Sequence, residues 1–130
     1  MNRLIVLCAV LFLFYSSEVA NSSDCSEKKD SISIVQCHEQ RYLNADREMN
    51  KVYSEAIKTL PDGERQKLKE AQKAWLKYRD ASFEFCIEQN KETRSYGSIA
   101  VADYKATLVE KRVRELKFLL SNPEDPPVKW

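Results

Sequence analysis

The sequence predicts an all-α protein, a small up-down-up bundle of three helices preceded by an N-terminal lead-in that a disulfide holds in place. Two observations support this prediction. Apolar residues recur every three or four positions along three long segments, and no alternating β pattern follows residue 22. The whole chain also contains only two glycines, Gly63 and Gly97. Short connections between such helices make consecutive helices antiparallel neighbours.

Residues 1–22 have the pattern of a secretory signal peptide. Arg3 supplies the positive charge, residues 4–15 are mostly apolar, and small or polar residues follow up to Ser22. The apolar stretch is too short to span a bilayer as a helix, and Asp24 before Cys25 does not suit a lipoprotein signal. We therefore expect cleavage after Ala20 or Ser22 and a periplasmic or secreted protein without stable membrane insertion. An uncleaved N-terminal anchor is the alternative.

The remaining chain divides into one helical domain, residues 23–122, and a Pro-rich tail, residues 123–130, which we expect to be mobile. The first helix is predicted to have Asp30 or Ser31 as its N-cap and to reach Leu60, where the sequence Pro61-Asp62-Gly63 stops it. The second helix is predicted to begin near Glu64 and to fray within residues 89–95. The third is predicted to run from about Ser98 to residue 122.

Helical periodicity also predicts which residues are buried. In the second helix the predicted buried stripe consists of Leu68, Ala71, Trp75, Tyr78, Ser82 and Phe85. In the third helix it consists of Val101, Tyr104, Leu108, Leu116 and Leu119. Because Trp75 lies on such a stripe, we expect it to be a core residue.

The cysteines indicate one intramolecular disulfide. Cys8 leaves with the signal, so Cys25, Cys37 and Cys86 remain in an oxidising compartment, and three thiols cannot all pair within one molecule. The lead-in can fold back so that Cys25 bridges to Cys37 in the first helix. Cys86 lies close to three turns after Trp75, near the buried face, and is expected to be a buried free thiol in a monomer. A Cys86-linked dimer is the alternative.

Charge and residue inventory exclude several functions. The formal net charge of +1 argues against nucleic acid as the main partner and against strong attraction to an anionic membrane. His38 is the only histidine, so the sequence offers neither a zinc ligand set nor a nucleophilic dyad once Cys37 is oxidised. Glu84 and Glu88 share one helix face but have no pocket to act in. We therefore expect no metal, no cofactor and no enzymatic activity.

Several motifs together resemble one family of bacterial exported proteins. They are Cys25-x11-Cys37, Tyr42-Leu43-Asn44-Ala45-Asp46-x2-Met49-Asn50-x2-Tyr53, Leu68-x2-Ala71-Gln72-Lys73-Ala74-Trp75-Leu76-Lys77-Tyr78-Arg79-Asp80-Ala81, Gly97-Ser98-Ile99 and Arg112-x2-Glu115-Leu116. The chain from Cys25 to about Leu120 resembles the LprI-type lysozyme-inhibitor domain, named for a mycobacterial lipoprotein that inhibits lysozyme. Similar members often carry a second cysteine pair at positions that are Phe83 and Thr107 here. Packing of Phe83, Phe85 and Tyr104 is expected to replace that bridge.

Two sets of site residues are predicted, one from the shared motifs and one, as a functional alternative, from the residue types around Gly97. A structural set is expected to form partly buried ion pairs and aromatic contacts that fix the register of the helices: Asp46, Trp75, Tyr78, Arg79, Asp80 and Arg112. A partner-binding set is expected in a loop of residues 93–98 that forms one edge with Trp75 and Arg79: Arg94, Ser95, Tyr96, Gly97 and Ser98. In a purely structural interpretation, Gly97 only permits the turn and Ser98 caps the third helix.

The function implied by the resemblance is binding and inhibition of a lysozyme-like peptidoglycan hydrolase. A loop carrying Arg94, Ser95 and Tyr96 would offer a cation, a hydroxyl and a ring to a cleft that contains catalytic carboxylates. The alternative function is a non-inhibitory periplasmic scaffold, in which the same surface binds another envelope protein.

Overall fold

A computed structural model describes residues 24–121 and contains three long helices. After a short 3-10 helix at Cys25–Glu27 come α1 (Ser31–Thr59), α2 (Asp62–Asn90) and α3 (Arg94–Leu120), and no strand occurs within residues 24–121. This confirms the predicted all-α class. The predicted signal peptide and the tail at residues 123–130 lie outside the described residues.

The start of α1 and the lead-in agree with the sequence. Asp30 is the N-cap, and its carboxylate accepts hydrogen bonds from the backbone N–H of Ser33 at 2.9 Å and from the Ser33 hydroxyl at 2.6 Å. Cys25 and Cys37 form the predicted disulfide, with their Cα atoms 5.7 Å apart. Cys25 is buried, so the bridge attaches the lead-in to the side of α1.

The helices run up, down and up, as predicted. Contacts between α1 and α3 advance in the same direction along both helices, from Arg41 with Asp103 to Glu48 with Lys117. Contacts between α1 and α2 run in opposite directions, since Tyr42 meets Phe83 whereas Asp46 meets Arg79. The parallel helices α1 and α3 therefore form the main interface, and α2 packs antiparallel to both.

The core consists of apolar residues from all three helices, with α3 contributing the most. Its buried members are Ala45, Met49, Phe83, Val109, Val113 and Leu116. Tyr42, Leu68, Trp75, Tyr104 and Leu108 are partly buried against them. Tyr104 and Phe83 make an edge-to-face contact with ring centroids 6.4 Å apart, so the predicted aromatic link between α2 and α3 is present.

Some predicted core positions are wrong. On α2, Tyr78 and Phe85 are 56% and 63% exposed. The buried residues of this helix are Gln72 and Phe83, so the face that packs on α1 and α3 is rotated by about one residue from the predicted stripe. Phe85 therefore does not help to hold α2 against α3. On α3, Leu119 is 62% exposed, since Leu116 and Leu120 are the residues of the last turn that pack on the core.

The connection between α2 and α3 is also shorter than predicted. Because α3 begins at Arg94, only residues 91–93 separate the two helices, and residues 94–98 form helix rather than a projecting loop. Thr93 occupies the N-cap position. Ser98 lies inside the helix, where its hydroxyl donates to the Arg94 carbonyl at 3.3 Å, so it does not cap α3.

The corner between α2 and α3 as a candidate functional site

The turn between α2 and α3 is tight, and we refer to residues 91–98 as the α2–α3 corner. The carbonyl of Asn90, the last residue of α2, accepts hydrogen bonds from the backbone N–H of Thr93 at 3.1 Å and from its hydroxyl at 2.8 Å. The Asn90 side chain donates back to the carbonyl of Cys86 at 2.8 Å. The bonds from Thr93 satisfy the Asn90 carbonyl, which the end of α2 would otherwise leave without a partner.

Gly97 is needed at the corner because α2 and α3 approach each other closely there. It is buried, and a Cβ atom at this position would overlap both the Asn90 carbonyl oxygen and the Thr93 hydroxyl oxygen. Its φ is not positive, so its role is close packing rather than an unusual backbone conformation. The lack of a side chain at Gly97 therefore allows the first turn of α3 to pack closely against the end of α2.

Arg94 has an unusual backbone conformation. Its φ of 48° is the only positive value for a residue other than glycine in residues 24–121. A left-handed conformation costs a residue with a Cβ roughly 1–2 kcal/mol. The Arg94 side chain is exposed and forms no ion pair within the described part of the chain. The corner therefore combines a strained backbone with an unpaired cation.

A groove of about 530 Å³ opens beside the corner, and all three helices contribute to it. We call it the corner groove. Its lining consists of Val35, Glu39, Tyr42, Ile87, Asn90, Lys91, Arg94, Gly97, Ser98, Val101, Ala102 and Lys105. Three cations and one carboxylate are among these residues, so the lining combines an excess of positive charge with apolar side chains such as Val35 and Ile87.

Lys105 is held within the corner groove by aromatic rings. Its ammonium nitrogen lies 5.7 Å from the ring centroid of Tyr42 and 5.2 Å from that of Phe83. Contacts of this kind favour a cation over the ring faces. The positive charge of the groove is therefore partly fixed in place rather than carried only by mobile surface side chains.

A shallower depression of about 260 Å³ adjoins the groove between the first turns of α1 and α3. It includes Ile32 and Ser95, and it shares Val35 and Ser98 with the corner groove. Ile32 is 71% exposed. The two concave regions together form one continuous surface at the disulfide-bearing end of the bundle.

The five predicted partner-binding residues therefore lie at one end of the molecule but play different parts. Arg94, Gly97 and Ser98 line the corner groove, and Ser95 lines the shallower depression. Tyr96 lines neither and is 84% exposed at the first turn of α3. The corner thus presents Arg94 and Tyr96 outward, while Gly97 is a packing residue.

The predicted structural set lies away from the corner, around the middle of α2, and includes residues of α1 and α3. Arg79 contacts Asp46 at 3.7 Å and Asp80 at 2.7 Å, and its guanidinium lies 5.8 Å from the Trp75 ring centroid. Arg79 is eleven residues from the end of α2, about 16 Å along a helix. Trp75 and Arg79 therefore lie about three helical turns or more from the corner rather than directly beside it. Tyr78, a third member of the set, faces solvent.

Arg112 completes this region from α3. Its side chain is 5% exposed and donates two hydrogen bonds to the Gln72 side-chain oxygen, at 3.1 and 3.0 Å. It also pairs with Glu115 at 2.9 Å, and its guanidinium lies 5.5 Å from the Trp75 ring centroid. Trp75 thus lies close to two guanidinium groups and is partly buried rather than fully enclosed.

Two polar side chains that connect different helices were not predicted from the sequence. Gln72, the acceptor for Arg112, stands within the recognised motif but received no role, since a glutamine inside a helix has no distinctive signal. Arg41 was also missed. It binds both carboxylate oxygens of Glu110, at 3.0 and 2.8 Å, and also Asp103 at 2.8 Å, and it contacts the ring nitrogen of His38. The spacing of charges along separate helices does not reveal such contacts.

No group of three or more His, Cys, Asp or Glu side chains within residues 24–121 is placed to hold a metal ion. No helix of the described chain is long and apolar enough to cross a membrane. Cys86 is a free, partly buried thiol whose sulfur lies 3.8 Å from the Asn90 side-chain nitrogen.

A disulfide-stapled three-helix domain with a solvent-facing corner is the class of protein that the fold and site define. The model of one protein family, described as lysozyme inhibitor LprI, matches residues 23–116. The chain therefore belongs to the LprI family, as the sequence motifs indicated. It is also 32% identical over 117 residues to an uncharacterised protein of Rhizobium meliloti (strain 1021), covering 78% of this chain and 82% of that protein. No solved structure matches the chain.

Proposed function

We propose that this protein is an exported inhibitor that binds a lysozyme-like peptidoglycan hydrolase through the α2–α3 corner and does not itself catalyse a reaction. Membership of a family described as lysozyme inhibitors supports the class of partner. The predicted signal peptide supports export to the compartment where such hydrolases act.

We choose this surface because of Arg94, which combines a positive φ with an exposed side chain that forms no ion pair within residues 24–121. Strained backbone conformations cluster at functional sites, so an observed outlier is a reason to suspect one. Here the strained residue carries an unpaired cation, and its side chain and that of Tyr96, two residues later, are both exposed. Arg and Tyr are the residue types most often found to anchor protein interfaces.

The corner also suits the chemistry of the target. Glycoside hydrolases of this type carry a pair of catalytic carboxyl groups in their clefts. The exposed guanidinium of Arg94 can enter such a cleft, and the other cations that line the corner groove can bind acidic groups beside it. Inhibition then follows from occupying the cleft.

The experiment compares two charge reversals in a peptidoglycan turbidity assay with lysozymes of several classes. Arg94→Glu should weaken inhibition about 30-fold or more, because it places a like charge against the catalytic carboxylates. Lys111→Glu is the matched control, since Lys111 is also exposed on α3 but lies away from the corner. It should inhibit like the parent protein, and circular dichroism should show that both variants remain helical.

Two results would count against the proposal. Equal inhibition by Arg94→Glu and the parent would remove the corner from the mechanism. If the parent protein inhibits no lysozyme class at low salt and micromolar excess, the protein is better described as a non-inhibitory interaction module of the envelope. A pull-down from envelope extract with and without the Arg94 change would then identify what the corner binds.

A further inference from the structure

Helix α2 has a second apolar face that the bundle does not use. Ala71, Ala74, Tyr78, Ala81 and Phe85 are all exposed and follow one another at steps of three, four, three and four residues. This is the spacing of the a and d positions in a coiled coil, and it aligns the five side chains along about 21 Å of one helix face. We call this line the α2 seam.

The seam is distinct from the face that packs on the core. Leu68, Trp75, Leu76 and Phe83 contact the core from the other side of α2. Single exposed apolar residues are common on protein surfaces. Five of them in heptad register, with two aromatic rings among three alanines, form a contiguous surface that fits another helix.

We propose that the α2 seam pairs with the α2 seam of a second copy of this chain, antiparallel and related by a two-fold axis. In such a pairing, Tyr78 lies opposite Ala81 of the second copy. The same register then places Phe85 opposite Ala74 of the second copy, because one position rises by seven residues as the other falls by seven. The two-fold axis repeats each of these two pairs, which gives four layers. Each layer contains one aromatic ring and one alanine, and well-packed interfaces combine large and small residues in this way.

A parallel pairing would not have this size complementarity. It would place Tyr78 against Tyr78 and Ala81 against Ala81, so crowded layers would alternate with empty ones. Both overpacking and voids weaken an interface. The order of large and small residues along the seam thus favours the antiparallel arrangement.

The charges beside the seam favour the same register. Lys77 and Glu84 are exposed on one flank, seven residues apart, and neither forms an ion pair within residues 24–121. In the antiparallel dimer Lys77 of each copy lies next to Glu84 of the other, so the pair occurs twice. Sliding one helix until Tyr78 faces Ala74 of the second copy would instead bring the two Lys77 side chains together, and like charges disfavour that alternative.

This inference replaces the expectation of a monomer with a noncovalent dimer. It does not require the Cys86-linked dimer, since Cys86 is not in the seam. It is also independent of any lysozyme, so the dimer and the inhibitory function are tested separately.

The first experiment measures the mass of the predicted mature protein by light scattering and sedimentation between about 1 and 300 µM. The mass should rise toward twice that of the monomer with concentration. Phe85→Glu should abolish the rise, whereas Leu119→Glu, which changes an exposed leucine on α3, should not. A parent protein that stays monomeric throughout this range overturns the proposal.

The second experiment is a charge swap that tests the register. Lys77→Glu alone and Glu84→Lys alone should each weaken the dimer about 10-fold, because each creates two like-charge contacts. The double variant Lys77→Glu/Glu84→Lys should restore the parent affinity. Both residues are exposed, so the fold is unaffected. Single variants that dimerise like the parent, or a double variant that stays as weak as the singles, would overturn the antiparallel register.

Discussion

The bundle is held by two interfaces of different chemistry. Between α1 and α3 the contact is extensive, with Met49, Val109 and Leu116 fully buried and ion pairs such as Arg41–Glu110 beside them. By contrast, α2 adds to its apolar packing the buried hydrogen bonds and the guanidinium–ring contact of Arg112. Apolar packing depends on filled volume, whereas hydrogen bonds and guanidinium–ring contacts depend on orientation.

Because of this difference, we expect substitutions in the two interfaces to destabilise the domain in different ways. Loss of volume between α1 and α3 weakens the whole domain, because α2 has no other platform to pack against. Loss of an oriented polar contact should loosen α2 while α1 and α3 stay together. Local opening of this kind is measurable by hydrogen exchange.

The largest expected effect comes from truncating the main interface. Leu116→Ala removes a fully buried side chain and should lower the free energy of unfolding by about 3–4 kcal/mol, through lost burial and the remaining cavity. Chemical denaturation of the mature protein measures this value. Leu119→Ala on the same helix is the matched control and should cost less than about 0.5 kcal/mol, since Leu119 is exposed. Similar losses for the two variants would contradict the assignment of the core.

The sequence predicted the fold well because the signals for it are local. Asp30 as a cap, Pro61 after the first helix and the periodicity of α1 each depend on neighbouring residues only. The disulfide between Cys25 and Cys37 was also predictable, since the lead-in is short and has one partner within reach. Each of these features agrees with the structure.

The face of α2 and the start of α3 were not predictable in the same way. Because α2 has apolar residues on two sides, periodicity alone selected a stripe that included Tyr78 and Phe85, which the bundle leaves exposed. The polar sequence around Gly97 was typical of a loop, but the close approach to Asn90 makes glycine suitable inside the helix. Both outcomes depend on contacts between distant residues.

The second prediction concerns the attachment of α2. Arg112→Met should lower the free energy of unfolding by about 2–3 kcal/mol, because it leaves the buried Gln72 side chain without its donors. Hydrogen exchange should become faster in α2 before it changes in the interface between α1 and α3. The double variant Gln72→Met/Arg112→Met should recover most of the loss, since replacing both partners leaves no buried polar group unpaired.

A failure to recover would carry a specific meaning. It would show that Arg112 contributes mainly through Trp75 and Glu115 rather than through Gln72. A variant in which all three helices open together would instead show that α2 is as firmly integrated as the other two, against the comparison drawn above.

The smallest expected effect is at the corner where α2 meets α3. Arg94→Gly should raise the free energy of unfolding by about 0.5–1 kcal/mol, because glycine adopts a φ of 48° without the strain that arginine bears there. Arg94→Ala removes the same side chain but keeps a Cβ, so it should not stabilise the protein. The difference in stability between the two variants therefore measures the backbone strain at this position.

Both variants should lose inhibition if the guanidinium contacts the target. A glycine variant that is more stable yet less active would show that the corner is strained for the sake of binding. One no more stable than the alanine variant would show that the backbone at Arg94 is relaxed.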